Sequence, residues 1–484
     1  MDQNQVPLFS GLLAHAGRNP WQFHIPGHKK GAGMAPEFRD FIGTEALSID
    51  LVNIEPVDDL HHPKGIIREA QELAAQAFDA DYTFFSVQGT SGAIMTMILS
   101  TVGPGQKILL PRNIHKSILS AVILSGATPV FLTPEIDQQL GVAHGISLAT
   151  VRRAVGEHPD AAALLVIYPT YYGVCSDLQS IVATAHQHGI PVLVDEAHGA
   201  HLYFHPDLPL PAMKAGADMA ATSMHKLGGS LTQSSILNVR AGLVDPKRVQ
   251  AVFSMLTTTS PSYLLLASLD TARRHLAVHG RETLSRALKL AEEARARINS
   301  IKGLWCFGMD IIGRRSSSFA FDPTKLCISV KELGLTGLEV ERMLRQEFNI
   351  EVELSDLYNI LVIVTAGDTA ESIDTLIHAL QSIAARVTGR RVRRGRVSFP
   401  DLPALAMTPR EAFFSRTEAV PFTDSAGRIA AEFVVPYPPG IPILAPGEWI
   451  TSKNINYITE HLKAGLPVQG LEDRTNNHIL VVAN

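Results

Sequence analysis

Between residues 61 and 300 the chain alternates two hydrophobic patterns. Short runs that are apolar at consecutive positions suit strands buried on both faces. They are separated by stretches whose apolar residues recur every three or four positions, the period of a helix with one buried side. The runs Tyr82 to Val87, Lys107 to Leu110, Val130 to Leu132, Ala163 to Tyr168, Val192 to Val194, Met219 to Thr222 and Ile236 to Val239 predict strands. Segments near Gly92 to Thr101, His115 to Ser125, Leu148 to Glu157 and Leu178 to His188 predict the helices between them. Buried strands separated by helices imply an α/β domain with a largely parallel sheet, whose ligands bind beyond the carboxyl ends of the strands. Polar residues just after each strand are therefore the ones to inspect.

The pattern changes on either side of this block. The first sixty residues show little regular periodicity and read as an arm; they contain Phe23-His24-Ile25-Pro26-Gly27-His28-Lys29-Lys30-Gly31, with a turn at Pro-Gly. Asp58-Asp59-Leu60-His61-His62-Pro63 then leads into a helix with Ile66, Ile67, Ala70, Leu73, Ala74, Ala77 and Phe78 on one side. A long helical stretch, Tyr263 to Ser300, leads to a second α/β segment. Its expected strands are Leu326 to Val330, Ile350 to Leu354 and Ile360 to Val364, and its helices Gly337 to Phe348 and Ala370 to Ala385. Arg386, Arg390, Arg391, Arg393, Arg394 and Arg396 crowd one short stretch, which reads as a solvated linker because no aromatics interleave them. A carboxyl-terminal module follows, with Tyr437-Pro438-Pro439-Gly440-Ile441-Pro442 and Pro446-Gly447-Glu448. The expected division is an arm over 1–60, a large domain over 61–262, a linking helix and small α/β domain over 263–390, and a terminal domain over 391–484.

Composition narrows the function classes. A chain of 484 residues with 46% hydrophobic and 18% charged residues can build several cores without covalent staples. Cys175, Cys306 and Cys327 are odd in number and scattered, which points to a reducing cytoplasm and away from a disulfide framework. The net charge of −5 offers no general attraction to nucleic acid or anionic lipid. Nowhere do about 18 apolar residues run together, so no membrane span is expected.

The chemistry-bearing residues lie where the sheet predicts them. Lys226, in Thr222-Ser223-Met224-His225-Lys226, sits where an apolar strand opens into Leu227-Gly228-Gly229-Ser230. A lysine sequestered there is suited to nucleophilic attack on a carbonyl, which makes it a candidate to carry pyridoxal phosphate as a Schiff base. Gln88-Gly89-Thr90-Ser91-Gly92 follows the first strand and opens a helix; small residues, free N–H groups and two hydroxyls suit a phosphate monoester, although Thr and Ser also favour an ordinary N-cap. His115, in Arg112-Asn113-Ile114-His115-Lys116-Ser117, follows the second strand and can lie against a planar ring. Asp195 ends the apolar strand Val192-Leu193-Val194 and needs a cationic or hydrogen-bonding partner, which a protonated pyridine nitrogen provides. Asp195-Glu196-Ala197-His198 also occurs in helicases, but no Gly-x-x-x-x-Gly-Lys-Ser/Thr accompanies it. His198, His201 and His205 match no strong zinc spacing, so no metal is expected. Together, phosphate cradle, stacking histidine, ring-nitrogen aspartate and lysine specify a planar, phosphorylated, cationic aromatic cofactor.

With these residues in place the chain resembles the fold-type-I pyridoxal-phosphate decarboxylases acting on arginine, lysine and ornithine, and most closely their compact bacterial biosynthetic arginine decarboxylases. The resemblance runs through His24 to Gly31, Gln88 to Gly92, Asn113 to Ser117, Asp195 to His198, Ser223 to Lys226, Thr257-Thr258-Thr259-Ser260 and Tyr437 to Gly440. It implies an aspartate-aminotransferase-like large domain, Lys226 as the Schiff-base residue, Asp195 at the pyridine nitrogen and His115 on the ring. Thr90, Ser91, Ser223 and His225 would lie at or beside the phosphate. Ala197 and His198 join the cofactor-binding candidates, although some relatives carry tryptophan at the position of His198, so that contact does not transfer as it stands. The family also implies a cytoplasmic homodimer with shared active sites, in which Thr258 reaches the partner's phosphate. The chain starts directly at the arm, without the extra domain through which long acid-inducible members build rings, so such rings are not expected.

The implied reaction is decarboxylation of L-arginine to agmatine and carbon dioxide, a step of polyamine biosynthesis. Lys226 or His225 would return a proton to Cα. Glu353, Asp356 and Glu448 are the candidate acceptors for the substrate's distal cation, with surface ion pairs as the plain alternative. Lysine or ornithine decarboxylation is the runner-up. A catalytically silent regulatory relative is a third reading, and an aminotransferase, using Arg314 or Arg315 for the substrate carboxylate, a fourth.

Overall fold

The computed structural model describes residues 1–387, 400–436, 441–463 and 465–483. Strands β1 (Tyr82–Ser86), β2 (Lys107–Pro111), β3 (Thr128–Leu132), β4 (Ala163–Ile167), β5 (Val192–Asp195), β6 (Met219–Thr222) and β7 (Ser235–Val239) lie where the apolar runs predict them. The helices Gly89–Thr101, Lys116–Ser125, Leu148–Glu157 and Leu178–His186 fall between them. The described residues cluster into two compact units, Met1–Thr101 with Pro191–Leu284, and Val102–Ile190 with Ser285–Asn484. Helix Tyr263–Asn299 carries residues of both.

In the first unit β5 pairs parallel with β6, while β7 runs antiparallel to both β6 and β1. The expected sheet is largely parallel, and the reversal at β7 falls within that expectation. A strand buried on both faces carries the same apolar run in either direction, so the pattern does not encode its sense. Helix Gly89–Thr101 packs on these strands through Ala93, Ile94, Met97 and Ile98, all buried. Of these, Ile94, Met97 and Ile98 each contribute about 1.5–3 kcal/mol by leaving water.

The arm is more regular than expected. Pro7–Gly17 is a helix that buries Leu8, Leu12 and His15 on one side. Its first amides, at Leu8 and Phe9, donate to Asp270 Oδ2 at 3.0 and 3.3 Å, and Arg273 pairs with the other oxygen of that carboxylate at 2.6 Å. A carboxylate at a helix amino terminus satisfies the orphan N–H groups, here from a distant part of the chain. Trp21 and Phe23, further along the arm, are exposed.

In the second unit β2 lies between β3 and β4, parallel to both. A separate antiparallel sheet has the order β8 (Trp305–Cys306), β9 (Lys325–Ser329), β11 (Asn359–Ile363) and β10 (Leu354–Ser355). Only Leu354 of the strand expected over Ile350 to Leu354 is extended in this ladder. Helices Gly337–Phe348 and Ala370–Arg386 cover the sheet, burying Val340, Leu344, Ile373, Leu376, Ile377 and Leu380 with Leu326, Ile328 and Ile360. Both helices begin with a capping box, at Thr336 and Thr369. The carboxyl-terminal core gathers Phe422, Val434, Leu444, Ile450, Ile458, Ile479 and Val481 around the antiparallel pair Thr417–Pro421 and His478–Val482. Of the arginine cluster Arg386 is described, paired with Glu347; the others, and Tyr437 to Gly440, lie outside the described residues.

Candidate active site

The first unit brings most of the nominated residues to the ends of β1, β5 and β6. Gly89 opens helix Gly89–Thr101 at φ +67°, a conformation that favours glycine, and its N–H donates to Gln233 O at 2.9 Å. Next to it the Thr90 hydroxyl meets Ser223 Oγ and lies 2.7 Å from Ser235 Oγ. Three hydroxyls and the amino terminus of a thirteen-residue helix thus converge. This donor set is chemically suited to a phosphate dianion. Ser91 is partly exposed beside them. Ser235 escapes sequence reasoning because it follows another serine at the start of β7; only pairing with β6 and the contact to Thr90 single it out.

Lys226 lies in a one-turn helix, Met224–Leu227, that starts directly after β6 and ends at Gly228. Its neighbours Met224 and Leu227 are buried, but Lys226 itself is exposed, not sequestered as the apolar setting suggested. A helical turn places successive side chains about 100° apart, so the two apolar residues point inward while the lysine faces out. Its Nζ is 2.9 Å from His198 Nε2. Sequence reasoning did not pair these two residues, which lie 28 positions apart. His225 Nδ1 lies 2.9 Å from Ser234 O, so Nδ1 carries the proton that the carbonyl accepts.

Asp195 is buried at the end of β5, and its Oδ1 accepts from Ala197 N at 3.2 Å. The adjacent Glu196 is completely buried. It accepts from Ala212 N at 2.8 Å, Tyr203 OH at 2.7 Å and Thr222 Oγ1 at 3.1 Å. Burial pushes its carboxyl up to about 8, more than those hydrogen bonds pull it down. Gly199 is required here because a Cβ would sit 2.5 Å from Glu196 Cγ. Thr258 is exposed; its carbonyl lies 3.0 Å from His61 Nε2 and its hydroxyl accepts from Ser260 N at 3.2 Å.

The raised pKa of Glu196 has a measurable consequence. The folded chain retains a proton that the unfolded chain releases above its ordinary value of 4.5, so this contribution to stability is full at low pH and declines as pH rises toward about 8. The decline is about 1.4 kcal/mol per pH unit while the two states differ by one proton. Glu196→Gln should remove that slope, so urea midpoints of wild type and variant, measured from pH 5 to 8, should diverge as pH rises. Parallel profiles would show that Glu196 does not hold the proton.

The second unit contains the remaining nominated residues. His115 is exposed and caps helix Lys116–Ser125; its Nδ1 accepts from Ser117 N at 3.2 Å and lies 2.8 Å from Ser117 Oγ. With Nδ1 an acceptor, a neutral ring carries its proton on Nε2. Glu353 is exposed and accepts from Tyr171 OH. Asp356 is buried, accepting from Tyr358 N and Asn359 N at 2.8 Å, from Asn359 Nδ2 and from Tyr172 OH, and burial raises its carboxyl to about 6. Glu448 is buried with both oxygens on Arg112, at 2.5 and 2.7 Å. Arg314 pairs with Asp310 at 3.2 Å, and Arg315 lies 3.8 Å from Asp137.

Comparison with known proteins places the whole chain. Residues 6–372 match the major domain of the Orn/Lys/Arg decarboxylases, and residues 393–476 match their C-terminal domain. A protein of Bacillus subtilis strain 168 named arginine decarboxylase is 62% identical over 484 residues, covering 100% of this chain and 99% of that protein. Lysine decarboxylase LdcA of Pseudomonas aeruginosa is 29% identical, over 92% of this chain and 74% of its own length. The solved structure of lysine decarboxylase A from Pseudomonas aeruginosa superposes with a TM-score of 0.83 at 27% identity, covering 98% of this chain and 80% of that one. The constitutive lysine decarboxylase of Escherichia coli shares the fold, with a TM-score of 0.84 at 21% identity over 99% of this chain and 82% of that one. Matched over residues 6–372 and 393–476, with an α/β fold and a lysine just past a central strand, the chain belongs to the Orn/Lys/Arg decarboxylase family.

Proposed function

We propose that this protein decarboxylates L-arginine to agmatine and carbon dioxide with pyridoxal 5'-phosphate as cofactor. The observation that carries the substrate is the 62% identity, over essentially both full lengths, to a protein named arginine decarboxylase. The hydroxyl cluster at the amino terminus of helix Gly89–Thr101, the buried Asp195 and the outward-facing Lys226 fit such a cofactor in kind. Thr90, Ser91 and Ser223 would hold its phosphate with His225 beside them. Lys226 would hold its carbonyl end, Asp195 its ring nitrogen and His115 a ring face, with Ala197 and His198 flanking. Bound there, it supplies a cationic π-system that accepts the electron pair left when carbon dioxide departs.

The protein's own groups then decide how protons move. The ammonium of Lys226 has His198 Nε2 within hydrogen-bond reach, so a proton leaving Nζ has a base to go to and one returning has a source. His225 directs its Nδ1 proton at the Ser234 carbonyl, which favours Lys226 over His225 as the donor to Cα. Of the three acids nominated for the distal guanidinium, Glu448 has both oxygens on Arg112 and Asp356 is enclosed by its own turn. Glu353 accepts one bond from Tyr171 and is exposed, so it is the proposed acceptor, and a guanidinium would complete a planar fork with it.

The protein is proposed to work as a cytoplasmic homodimer, or a higher assembly, in polyamine biosynthesis. Its described cysteines are buried and form no disulfide, as suits a reducing compartment, and no described helix is long and apolar enough to cross a membrane. Lysine decarboxylation is the alternative, supported by the names of the solved relatives. Carbon dioxide release from arginine, lysine and ornithine, each with added pyridoxal phosphate, discriminates between them. Release from arginine is expected, at a kcat/KM at least about 10²-fold above that for lysine, because a site built for a fork of donors leaves acceptors unpaired with an ammonium. Preferential release from lysine would overturn the substrate.

A further inference from the structure

The bond network around Arg112 joins two segments far apart in sequence. Arg112 follows β2, and its backbone N–H donates to Leu132 O in β3 at 2.9 Å. Its guanidinium is 1% exposed. Both terminal nitrogens donate to Glu448, Nε donates to Pro442 O at 2.7 Å, and the planar group lies 4.4 Å from the centre of the Phe131 ring. Glu448 is equally buried, and its Oε2 also accepts from Ala445 N at 2.8 Å. The charge is thus neutralised, each guanidinium nitrogen donates a hydrogen bond and the planar group lies over one aromatic ring.

A pair this deeply desolvated gives back little net stability against an apolar packing of the same volume, so its retention has to be sought in what it orders. It orders the turn between β2 and the helix that His115 caps. Arg112 is three residues before His115, and between them Ile114 is buried. On the other side it clamps Pro442 to Glu448, the segment that enters the carboxyl-terminal core through Ile443 and Leu444. The fork of Arg112 leaves little rotational play on either side, whereas the point charge of a lysine could not hold Pro442 and both carboxylate oxygens in that planar arrangement.

We infer that Arg112 and Glu448 are a positioning pair through which the carboxyl-terminal segment fixes the His115 turn. Neither residue touches reacting atoms in this inference; both act through His115, and it therefore rests on the role proposed above for that ring. Arg112→Lys and Glu448→Gln should each lower kcat by about 10- to 100-fold, the scale expected when a positioned group shifts by about 1 Å. KM for arginine should stay within about twofold of wild type. Either change combined with His115→Ala should cost little beyond His115→Ala alone, because the three residues act as one unit. Both single variants should also alter the visible absorbance or circular dichroism of bound pyridoxal phosphate in the sense that His115→Ala does.

Losses that multiply with that of His115→Ala, or a visible spectrum unchanged by the pair's variants, would overturn the inference. A second measurement needs no variant. In wild-type protein, hydrogen exchange at Asn113 to Ser117 and at Ile443 to Glu448 should report one shared opening free energy. Independent exchange of the two segments would also overturn it. Absence of both a cofactor band and carbon dioxide release in wild type would defeat the functional reading instead, and the exchange result would still decide the coupling.

Discussion

Lys226→Ala should abolish steady-state release of carbon dioxide from arginine, a loss on the order of 10³- to 10⁶-fold in kcat, as for other enzymes that lose their covalent nucleophile. The variant should fold normally. Lys226 is exposed, so trimming its side chain opens no cavity in the core, and the melting temperature should stay within a few degrees of wild type. Borohydride should fix pyridoxal phosphate covalently to the wild-type peptide containing Lys226 and to no peptide of the variant. A small primary amine added at high concentration should restore part of the activity, because the nucleophile is missing while its surroundings are intact. A variant with about a tenth of wild-type kcat, or a borohydride adduct that survives the substitution, would sink the assignment. His198 gives a finer test of the same contact. If it exchanges a proton with Nζ, its removal should alter the pH profile of kcat more than KM.

Much of the fold is written in hydrophobic periodicity, and the elements it failed to convey share a cause. The seven main strands are recognisable because each carries a short run of two to five consecutive apolar residues, and the candidates for the chemistry follow several of them. What the pattern omits is anything set by a partner elsewhere. Helix Pro7–Gly17 has few buried positions, and its amino terminus is satisfied by Asp270, 262 residues away. The reversed sense of β7 depends on which neighbours it joins, which no single run records. Glu448 could be nominated for the substrate's cation because its own cationic partner, Arg112, is 336 residues distant. The complete burial of Glu196, next to Asp195, becomes visible only with Tyr203, Ala212 and Thr222 around it. Lys226 was recognisable by its neighbours, yet its exposure follows from one helical turn that an apolar flank does not predict.

Asp195→Asn separates charge from shape at that same strand end. Asparagine keeps the volume, and its amide oxygen can accept from Ala197 N as Asp195 Oδ1 does, so β5 should remain in place. What disappears is a buried negative charge that would face a cationic ring nitrogen in the loaded enzyme. Breaking a buried pair of that kind costs about 3–5 kcal/mol, which converts to a loss of roughly 10²- to 10⁴-fold in kcat. The pH dependence gives the sharper signature. A neighbouring carboxylate raises the pKa of a cation beside it, so its removal lowers that pKa, and the variant should regain activity as pH falls while wild type does not. Glu196 does not take over the missing charge, because burial pushes its carboxyl up to about 8 and it stays protonated over that range. A variant whose loss is the same at every pH, or whose kcat stays within about twofold of wild type, would remove Asp195 from the ring nitrogen and leave it as a structural end to β5.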